Sequence, residues 1–206
     1  MIERLAEASG RYVSRETFEL LERYVAVLVE ANATQNLIAS STIEIIWERH
    51  VIDSAQLVRF EPKAGASWID IGSGAGLPGI VIAILAKGPV TLVEPRRLRV
   101  EFLHRAIDEL ELGARVQIVH GKADKASGKY DVVTARAVAS VDRLLAMTLH
   151  LSHRGTVWLL PRGGSGKSEL ADVTRTWQGA FRSEASFTDP QAATLIASGV
   201  HVKGRR

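Results

Sequence analysis

The sequence predicts an α/β fold in which helices cover both faces of a mostly parallel sheet. Three observations support this prediction. Strand-like and helix-like segments alternate from residue 67 onward, a glycine-rich turn follows the first of those strands, and 206 residues suffice for one domain with a sizeable core. Because helical segments precede this region, we divide the chain into an N-terminal helical extension packed on the core (residues 1–60) and a single structural unit (residues 61–206).

The N-terminal extension contains two predicted helices. The first covers residues 15–31, where an apolar stripe recurs at helical spacing through Phe18, Leu21, Val25, Leu28 and Val29. Ser14 precedes this helix and is suited to cap it, since a hydroxyl can accept a hydrogen bond from an N–H of the first turn. The second helix covers residues 43–60, and its core-facing side chains are Ile46, Val51, Leu57 and Val58.

The second part of the chain alternates between strands and helices. The predicted strands cover residues 67–71, 90–94, 115–120, 130–135 and 155–160, and the predicted helices cover residues 78–87, 98–110 and about 141–151. Two weaker patterns, residues 182–188 and 193–197, are candidates for closing strands.

The composition excludes several classes of protein. The chain has no cysteine, which rules out a disulfide framework, a thiolate zinc site and a cysteine nucleophile, including that of the cytosine C5-methylating enzymes. A net charge of +3 permits an acidic partner such as nucleic acid without requiring one. No apolar run approaches the roughly 18 residues of a membrane span, and the charged N-terminus is unlike a signal peptide. We therefore expect a cytoplasmic protein.

The most specific motif is the glycine turn, Asp70 to Gly79, with the sequence D-I-G-S-G-A-G-L-P-G. It ends a strand and opens a helix, where backbone N–H groups can meet a ligand. The dinucleotide-binding pattern G-x-G-x-x-G needs a glycine at position 77, which is leucine. Glu94 ends the next strand, where its two oxygens can accept both hydroxyls of a ribose. The turn and this acid together predict a nucleoside-containing ligand, with ordinary strand-end polar residues as the alternative.

Two further polar residues follow strands. Asp124 could approach an adenine amine, or it could be a solvated loop acid between Lys122 and Lys125. Arg136 lies where open α/β sheets bind ligands, and a surface ion pair is its alternative. A third segment, residues 163–168, resembles the end of a phosphate-binding loop. Position 161, where that pattern requires glycine, is proline, which has no N–H for a phosphate. We interpret this segment as a basic loop that could touch an RNA backbone.

Four blocks of the sequence together resemble the bacterial 16S ribosomal RNA methyltransferase G family, also called glucose-inhibited division protein B. They are Asn36-Leu37 with Glu48 to Ser54 (N-L…R-H-x-x-D-S), Asp70 to Gly79 (D-x-G-x-G-x-G-L-P-G), Thr134 to Ala139 (S-R-A-x-A) and Leu159 to Gly163 (L-x-K-G). The chain departs from the family at three places: Leu98-Arg99 stands where Lys-Arg is usual, Lys122 where Arg is usual, and Arg162 where Lys is usual.

The resemblance implies a class I S-adenosylmethionine-dependent methyltransferase, a Rossmann-like fold with a seven-stranded doubly wound sheet, whose methyltransferase domain is residues 61–206. It implies N7 methylation of one guanine in the 530 loop of 16S ribosomal RNA. The implied partners are small-subunit ribosomal RNA or the 30S particle, with no metal and no membrane. The turn and the resemblance together assign cofactor binding to Asp70, Gly72, Gly74, Gly76, Leu77, Glu94, Ala123, Asp124 and Arg136.

The candidate RNA contacts are basic side chains and one histidine. They are Arg49, His50, Arg96, Arg97, Arg99, Arg162 and Lys167, with the tail residues Lys203, Arg205 and Arg206. Each could instead be a solvated surface charge. Arg49, His50 and Asp53 can share one side of the second helix. They could form a surface ion pair, or, by the resemblance, close over the cofactor pocket or approach the target base.

No side chain is assigned as a catalytic acid or base. Guanine N7 carries an in-plane lone pair and needs no deprotonation, so positioning and electrostatics suffice. The chain also lacks the [DN]-P-P-[FYW] segment of amine-methylating enzymes, since Asp189-Pro190 continues with Gln-Ala. Three alternatives stay open: a nucleotide-dependent oxidoreductase, disfavoured by Leu77; a small-molecule methyltransferase; and a non-catalytic ribosome-assembly or RNA-binding factor with the same fold, disfavoured by the intact cofactor motif.

Overall fold

A single seven-stranded sheet organises the part of the chain that the structure describes. The computed structural model describes residues 1–136, 138–163 and 166–204, except the side chains of residues 166–168 and 171. The strands are β1 (Trp68–Ile71), β2 (Val90–Glu94), β3 (Val116–His120), β4 (Tyr130–Thr134), β5 (Ser152–Arg162), β6 (Trp177–Ala185) and β7 (Ala193–Val202). Their order in the sheet is β3-β2-β1-β4-β5-β7-β6. The first five run parallel, whereas β7 is antiparallel to both of its neighbours.

The helices lie before and between the strands. They are α1 (Ile2–Ser9), α2 (Arg15–Asn32), α3 (Asp53–Ala55), α4 (Gly79–Leu85), α5 (Arg97–Glu109), α6 (Val141–Thr148) and α7 (Gly166–Thr176). A π-helical turn, Trp47–Ile52, leads into α3. Short 3₁₀ turns lie at Ser40–Thr42, Gln56–Phe60, Ala123–Lys125 and Leu149–Leu151.

The sheet is covered on both faces, as the sequence predicts. Successive residues of β1 point to opposite sides, so Trp68 joins one apolar cluster with α1, α2, α4 and α5. Its neighbour Ile69 joins a second cluster with α6 and α7 on the other face. Because both faces are buried, the strands carry apolar residues at consecutive positions rather than alternating with polar ones.

The N-terminal extension is helical, with two departures from the prediction. Ser14 caps α2 as expected, since its hydroxyl oxygen accepts the Thr17 N–H at 3.2 Å. Helix α1 was not predicted, and Val29, assigned to the buried stripe, is 37% exposed. The second predicted helix, residues 43–60, is a succession of π-helical, α-helical and 3₁₀ turns rather than one regular helix. Its four predicted core residues are nevertheless buried.

The extension and the sheet share one hydrophobic cluster. Leu5 and Leu21 belong to the same cluster as Trp68. Glu61, at the predicted boundary, accepts a hydrogen bond from the Trp68 indole at 3.2 Å and pairs with Arg11. The division at residue 60 stays a prediction, and the core packing continues across it.

The two closing strands exist but are longer than predicted. The weak pattern at residues 182–188 overlaps β6, which begins at Trp177 and ends at Ala185, so the prediction is wrong for residues 186–188, which lie after the strand. Residues 193–197 begin β7. Long-range pairing defines these strands, because β7 supplies the partner of both β5 and β6. Neither strand alternates regularly between buried and exposed residues, since Trp177 is the one buried residue of β6 and residues 194–197 of β7 are all buried, which weakens the local signal.

Candidate active site

The glycine turn follows β1 and is bound to the end of β2. The N–H groups of Gly72 and Ser73 both donate to the Val93 carbonyl, at 2.8 and 3.0 Å. Gly72, Gly74 and Gly76 all have positive φ, at 73°, 55° and 83°. A Cβ on Gly72 would lie 2.6 Å from Cγ2 of Val138. The turn therefore needs glycine at this position for two reasons, conformation and space.

Asp70 is buried beneath the turn and has an unused acceptor. Its Oδ2 accepts the Gly79 N–H at 3.1 Å, whereas Oδ1 has no hydrogen-bond partner among the described residues. Burial raises the pKa of this carboxyl to about 7. A buried acceptor without a partner is costly, so a ligand that donates to Oδ1 would stabilise the site.

Glu94 lies beside the turn, as predicted, and is 2% exposed. Its Oε2 accepts the Gly74 N–H at 2.8 Å, and its Oε1 accepts the Arg96 N–H at 2.9 Å. Each carboxylate oxygen can accept more than one hydrogen bond, so both remain able to accept ligand hydroxyls. The Gly121 N–H donates to the Glu94 carbonyl at 3.0 Å, which brings the segment after β3 to the same edge of the sheet. In that segment Ala123 is buried and Asp124 is exposed.

Sequence reasoning missed Tyr24, which ties α2 to the turn. Its hydroxyl donates to the Ala75 carbonyl at 2.7 Å, and the side chain is fully buried. Desolvation raises the pKa of this phenol, so it stays a donor. The sequence does carry a signal for this contact. Tyr24 lies three residues after Leu21 on the buried stripe of the helix, and a buried tyrosine needs a hydrogen-bond partner for its hydroxyl.

Arg136 brings the end of β4 into contact with the π-helical turn. Its Nη1 lies 3.6 Å from Oδ2 of Asp53 and 3.4 Å from Nδ1 of His50. Burial lowers the pKa of His50 to about 4, and the charges of Arg136 and Arg49 act in the same direction. Burial also raises the pKa of Asp53, which Arg136 opposes. Asp53 and His50 therefore form a half-buried cluster with Arg136, rather than an ion pair confined to one helix surface.

Gln56 and Asp53 hold the turn between β6 and β7, a contact that no sequence motif indicated. The Gln56 amide donates to Oδ1 of Asp53 at 2.9 Å and accepts the Phe187 N–H at 2.8 Å. The Thr188 hydroxyl donates to the same Asp53 oxygen at 3.3 Å. These bonds join the N-terminal extension directly to the C-terminal strands.

A cleft of about 760 Å³ opens at the carboxyl ends of β4 and β5. Its lining includes Arg49, His50, Asp53, Arg136, Ala139 and Arg162. Val138, which packs against Gly72, also lines the cleft, so the cleft and the glycine turn are adjacent. Open α/β sheets bind their ligands at this end of the strands.

Apart from Arg49 and His50, which line the cleft, the predicted RNA contacts that the structure describes fall into three environments. The Arg162 side chain is only 6% exposed, because its guanidinium donates to the Pro161 and Ala139 carbonyls and its Nε lies 3.4 Å from Oε2 of Glu169. Burial lowers its pKa. Arg96 and Arg97 are exposed, and Arg97 pairs with Glu101.

Arg99 lies against the turn instead, with Nη1 3.3 Å from the position of a Cβ on Gly74. Lys203 is exposed, and its Nζ donates to the Thr174 carbonyl at 2.6 Å. The other predicted contacts cannot be placed: the Lys167 side chain, Arg205 and Arg206 lie outside the described residues, as do residues 164–165 of the basic loop.

Neither a membrane-spanning helix nor a metal-binding cluster is found in the part of the chain described. No helix there is both long and apolar enough to span a bilayer. Nor does any group of three or more His, Cys, Asp or Glu side chains among the described residues have an arrangement that could hold a metal ion.

Comparison with known proteins identifies close relatives. A family model described as rRNA small subunit methyltransferase G matches residues 17–192. A curated relative from Zymomonas mobilis, named ribosomal RNA small subunit methyltransferase G, is 44% identical and covers 94% of this chain and 91% of its own. A relative of the same name from Rhizorhabdus wittichii is 47% identical and covers 94% of this chain and 90% of its own.

Two solved structures whose titles name them as methyltransferases have similar folds. An O-methyltransferase from Bacillus cereus, in complex with SAH, has a TM-score of 0.57 at 16% identity, covering 85% of this chain and 90% of that one. A methyltransferase from Geobacter sulfurreducens has a TM-score of 0.58 at 14% identity, covering 85% of this chain and 88% of that one. At these identities the likeness concerns the fold alone. Together with the strand order, it confirms the predicted class I methyltransferase fold.

Proposed function

The chain belongs to the rRNA small subunit methyltransferase G family, and on that premise we propose that it methylates N7 of a guanine in the 530 loop of 16S ribosomal RNA. It is an S-adenosylmethionine-dependent methyltransferase, as its family is. One observation carries the proposal: the glycine turn with its two buried acids adjoins a cleft of about 760 Å³ at the carboxyl ends of the strands. Its substrate is small-subunit ribosomal RNA, free or within the 30S particle, in the cytoplasm.

The residues at the turn fit the cofactor. Asp70 has a buried oxygen without a partner and would accept from the cofactor ammonium group. Glu94 would accept the ribose hydroxyls, and the absence of a Cβ at Gly72 and Gly74 lets a ligand approach the backbone. By the family resemblance, Leu77 would line the cofactor, and Ala123 and Asp124 would flank the adenine. Gly76 maintains the turn.

The chemistry requires little of the protein beyond positioning. S-adenosylmethionine, when bound, supplies an electrophilic methyl group on a sulfonium, which the N7 lone pair can accept without any proton leaving the guanine. The protein therefore needs to align the base and to exclude water, rather than to supply a general base. Arg136, Asp53 and His50 form the wall between turn and cleft, and we assign the cleft to the target nucleotide.

The RNA must present an accessible base. In a regular RNA duplex N7 lies in the deep major groove, which side chains cannot enter, so the target is unpaired or opened. Of the candidate RNA contacts, Arg49 lines the cleft, and Arg96 and Arg97 are exposed near the turn. Arg162, buried against Ala139 and Glu169, would shape the cleft wall instead of contacting a phosphate.

The test is methyl transfer to 30S subunits from cells that lack this gene, with tritiated S-adenosylmethionine as donor. We expect up to one methyl group per particle, located in the 530 loop by the strand scission that follows reduction of 7-methylguanine. Protein-free 16S RNA, tested in parallel, shows which form is the substrate. Methylation at another nucleotide or at another guanine atom would contradict the proposal. Cofactor binding without turnover on either substrate would favour the non-catalytic assembly factor.

A further inference from the structure

His50 is hydrogen-bonded through both ring nitrogens, and its partners fix which nitrogen carries the proton. Nδ1 faces Nη1 of Arg136 at 3.4 Å, and Nε2 lies 2.8 Å from the Thr42 hydroxyl oxygen. A guanidinium can only donate, so Nδ1 accepts and the ring hydrogen is on Nε2. The Thr42 hydroxyl then donates to the Ala39 carbonyl at 2.7 Å. These three hydrogen bonds form one series, from Nη1 of Arg136 through His50 and Thr42 to the Ala39 carbonyl.

The surroundings of His50 keep its ring neutral. The ring is largely buried, and the cationic groups that face it are Arg136, from the end of β4, and Arg49, from its own helical turn. Asp53 pairs with the same guanidinium nitrogen, since its Oδ2 lies 3.6 Å from Nη1 of Arg136. A neutral ring supplies the acceptor that Arg136 needs, whereas a protonated ring would repel it.

Arg136 lies where the cleft and the glycine turn meet. It lines the cleft, and its charge opposes the rise in pKa of both Asp70 and Tyr24 on the cofactor side. Among the described residues, its contacts with Asp53 and His50 use Nη1 alone. The N–H groups of Nε and Nη2 therefore remain available to ligands. Because the guanidinium is planar, the contacts of Nη1 with Asp53 and His50 set the direction in which these N–H groups point.

We propose that His50 is a positioning residue for methyl transfer, which it supports by holding the Arg136 guanidinium in place between the cofactor turn and the target nucleotide. His50 acts through Arg136 and takes no part in bond formation. Thr42 fixes the tautomer, as backbone and side-chain acceptors do for functional histidines elsewhere. The inference rests on the proposed function, because it assigns the target base to the cleft that Arg136 lines.

The two amide variants of His50 separate positioning from packing. In His50→Asn the side-chain oxygen stands close to Nδ1 and can still accept from Arg136. In His50→Gln the terminal amide stands close to Nε2, which keeps the Thr42 contact and loses the acceptor for Arg136. We expect kcat on 30S subunits to stay within about threefold of wild type for His50→Asn and to fall about tenfold or more for His50→Gln. Thermal unfolding midpoints and S-adenosylmethionine affinity, measured by calorimetry, should be similar in the two variants.

A double-mutant cycle with Arg136→Met tests whether the effect passes through the arginine. In that background, single-turnover rates should no longer differ between His50→Asn and His50→Gln. Thr42→Val, which keeps the histidine but removes the acceptor for Nε2, should lower the rate a few-fold only when Arg136 is present.

Equal rates for the two amide variants, or a difference that persists without the arginine, would overturn the inference. If the wild-type protein transfers no methyl group to 30S subunits, the proposed function is refuted, and the inference with it.

Discussion

The glycine turn and the cleft lie side by side at the carboxyl ends of the strands, but they are built in different ways. The turn is one continuous segment, Asp70 to Gly79, joined to Glu94 at the end of the next strand and held by backbone hydrogen bonds. The cleft is assembled from four distant segments, and side-chain hydrogen bonds such as those of Gln56 hold them together. The proposed cofactor half of the site is therefore local, whereas the proposed RNA half depends on tertiary packing. Substitutions in the two halves should have separable effects.

The largest expected effect is the loss of cofactor binding in Gly72→Asp. A side chain here is strained at a φ of 73°, and its Cβ would lie 2.6 Å from Cγ2 of Val138. The added carboxylate would also repel that of the cofactor. Calorimetry should show S-adenosylmethionine binding weakened about a thousandfold or more. Gly113→Asp is the control, since no atom lies within 4 Å of a Cβ at Gly113. Intact binding by the Gly72 variant would place the cofactor elsewhere.

The second prediction concerns the pH dependence of stability. Burial raises the pKa of Asp70 from 3.8 to about 7, so the folded state holds a proton that the unfolded state releases. The stability that this proton provides is present below about pH 4 and is lost as the pH rises towards 7, by up to about 4 kcal/mol. Asp70→Asn does not titrate, so the variant should gain stability relative to wild type across that range. Urea unfolding at several pH values measures this, and a difference independent of pH would contradict it.

A change in the cleft should separate turnover from cofactor binding. Gln56→Ala removes the bonds to Asp53 and to the Phe187 N–H, which should cost about 1–3 kcal/mol of unfolding free energy. Methyl transfer to 30S subunits should slow, while the S-adenosylmethionine affinity stays within about twofold of wild type. Gln191→Ala is the matched control, because Gln191 is exposed and lies in the turn between β6 and β7 that Gln56 contacts. A parallel loss of cofactor affinity would show that the two halves are not separable.

The smallest expected effect distinguishes two neighbouring arginines. The Arg99 guanidinium lies against Gly74, whereas Arg97 is exposed and pairs with Glu101. Arg99→Met should weaken S-adenosylmethionine binding a few-fold, and Arg97→Met should leave it within about 1.5-fold, because exposed ion pairs contribute little. The same variants on 30S subunits test the RNA contact predicted for both. Equal cofactor affinities would assign Arg99 to the RNA-facing surface.

The elements that sequence reasoning predicted well carry a strong local pattern. Strands β1 and β2 are short, mostly apolar runs, and helix α5 repeats its apolar residues at helical spacing, so their positions agree with the prediction to within a few residues. Helix α1 has only eight residues, and β6 gains its hydrogen bonds from β7 rather than from its own composition. The region 43–60 is an irregular series of helical turns, and its His50 and Asp53 face Arg136, a contact with no signature in the neighbouring sequence.

What the sequence determined by itself is the turn, the acid that follows the next strand, and the alternation of strands and helices. Each depends on residues close together in the chain, because backbone conformation and the period of a helix or strand are local properties. Only the tertiary structure decided that Tyr24 reaches Ala75, that Gln56 holds Phe187, and that Arg136 faces His50. Those contacts join residues far apart in the chain, and they form because a buried polar group must find a partner wherever the packing supplies one.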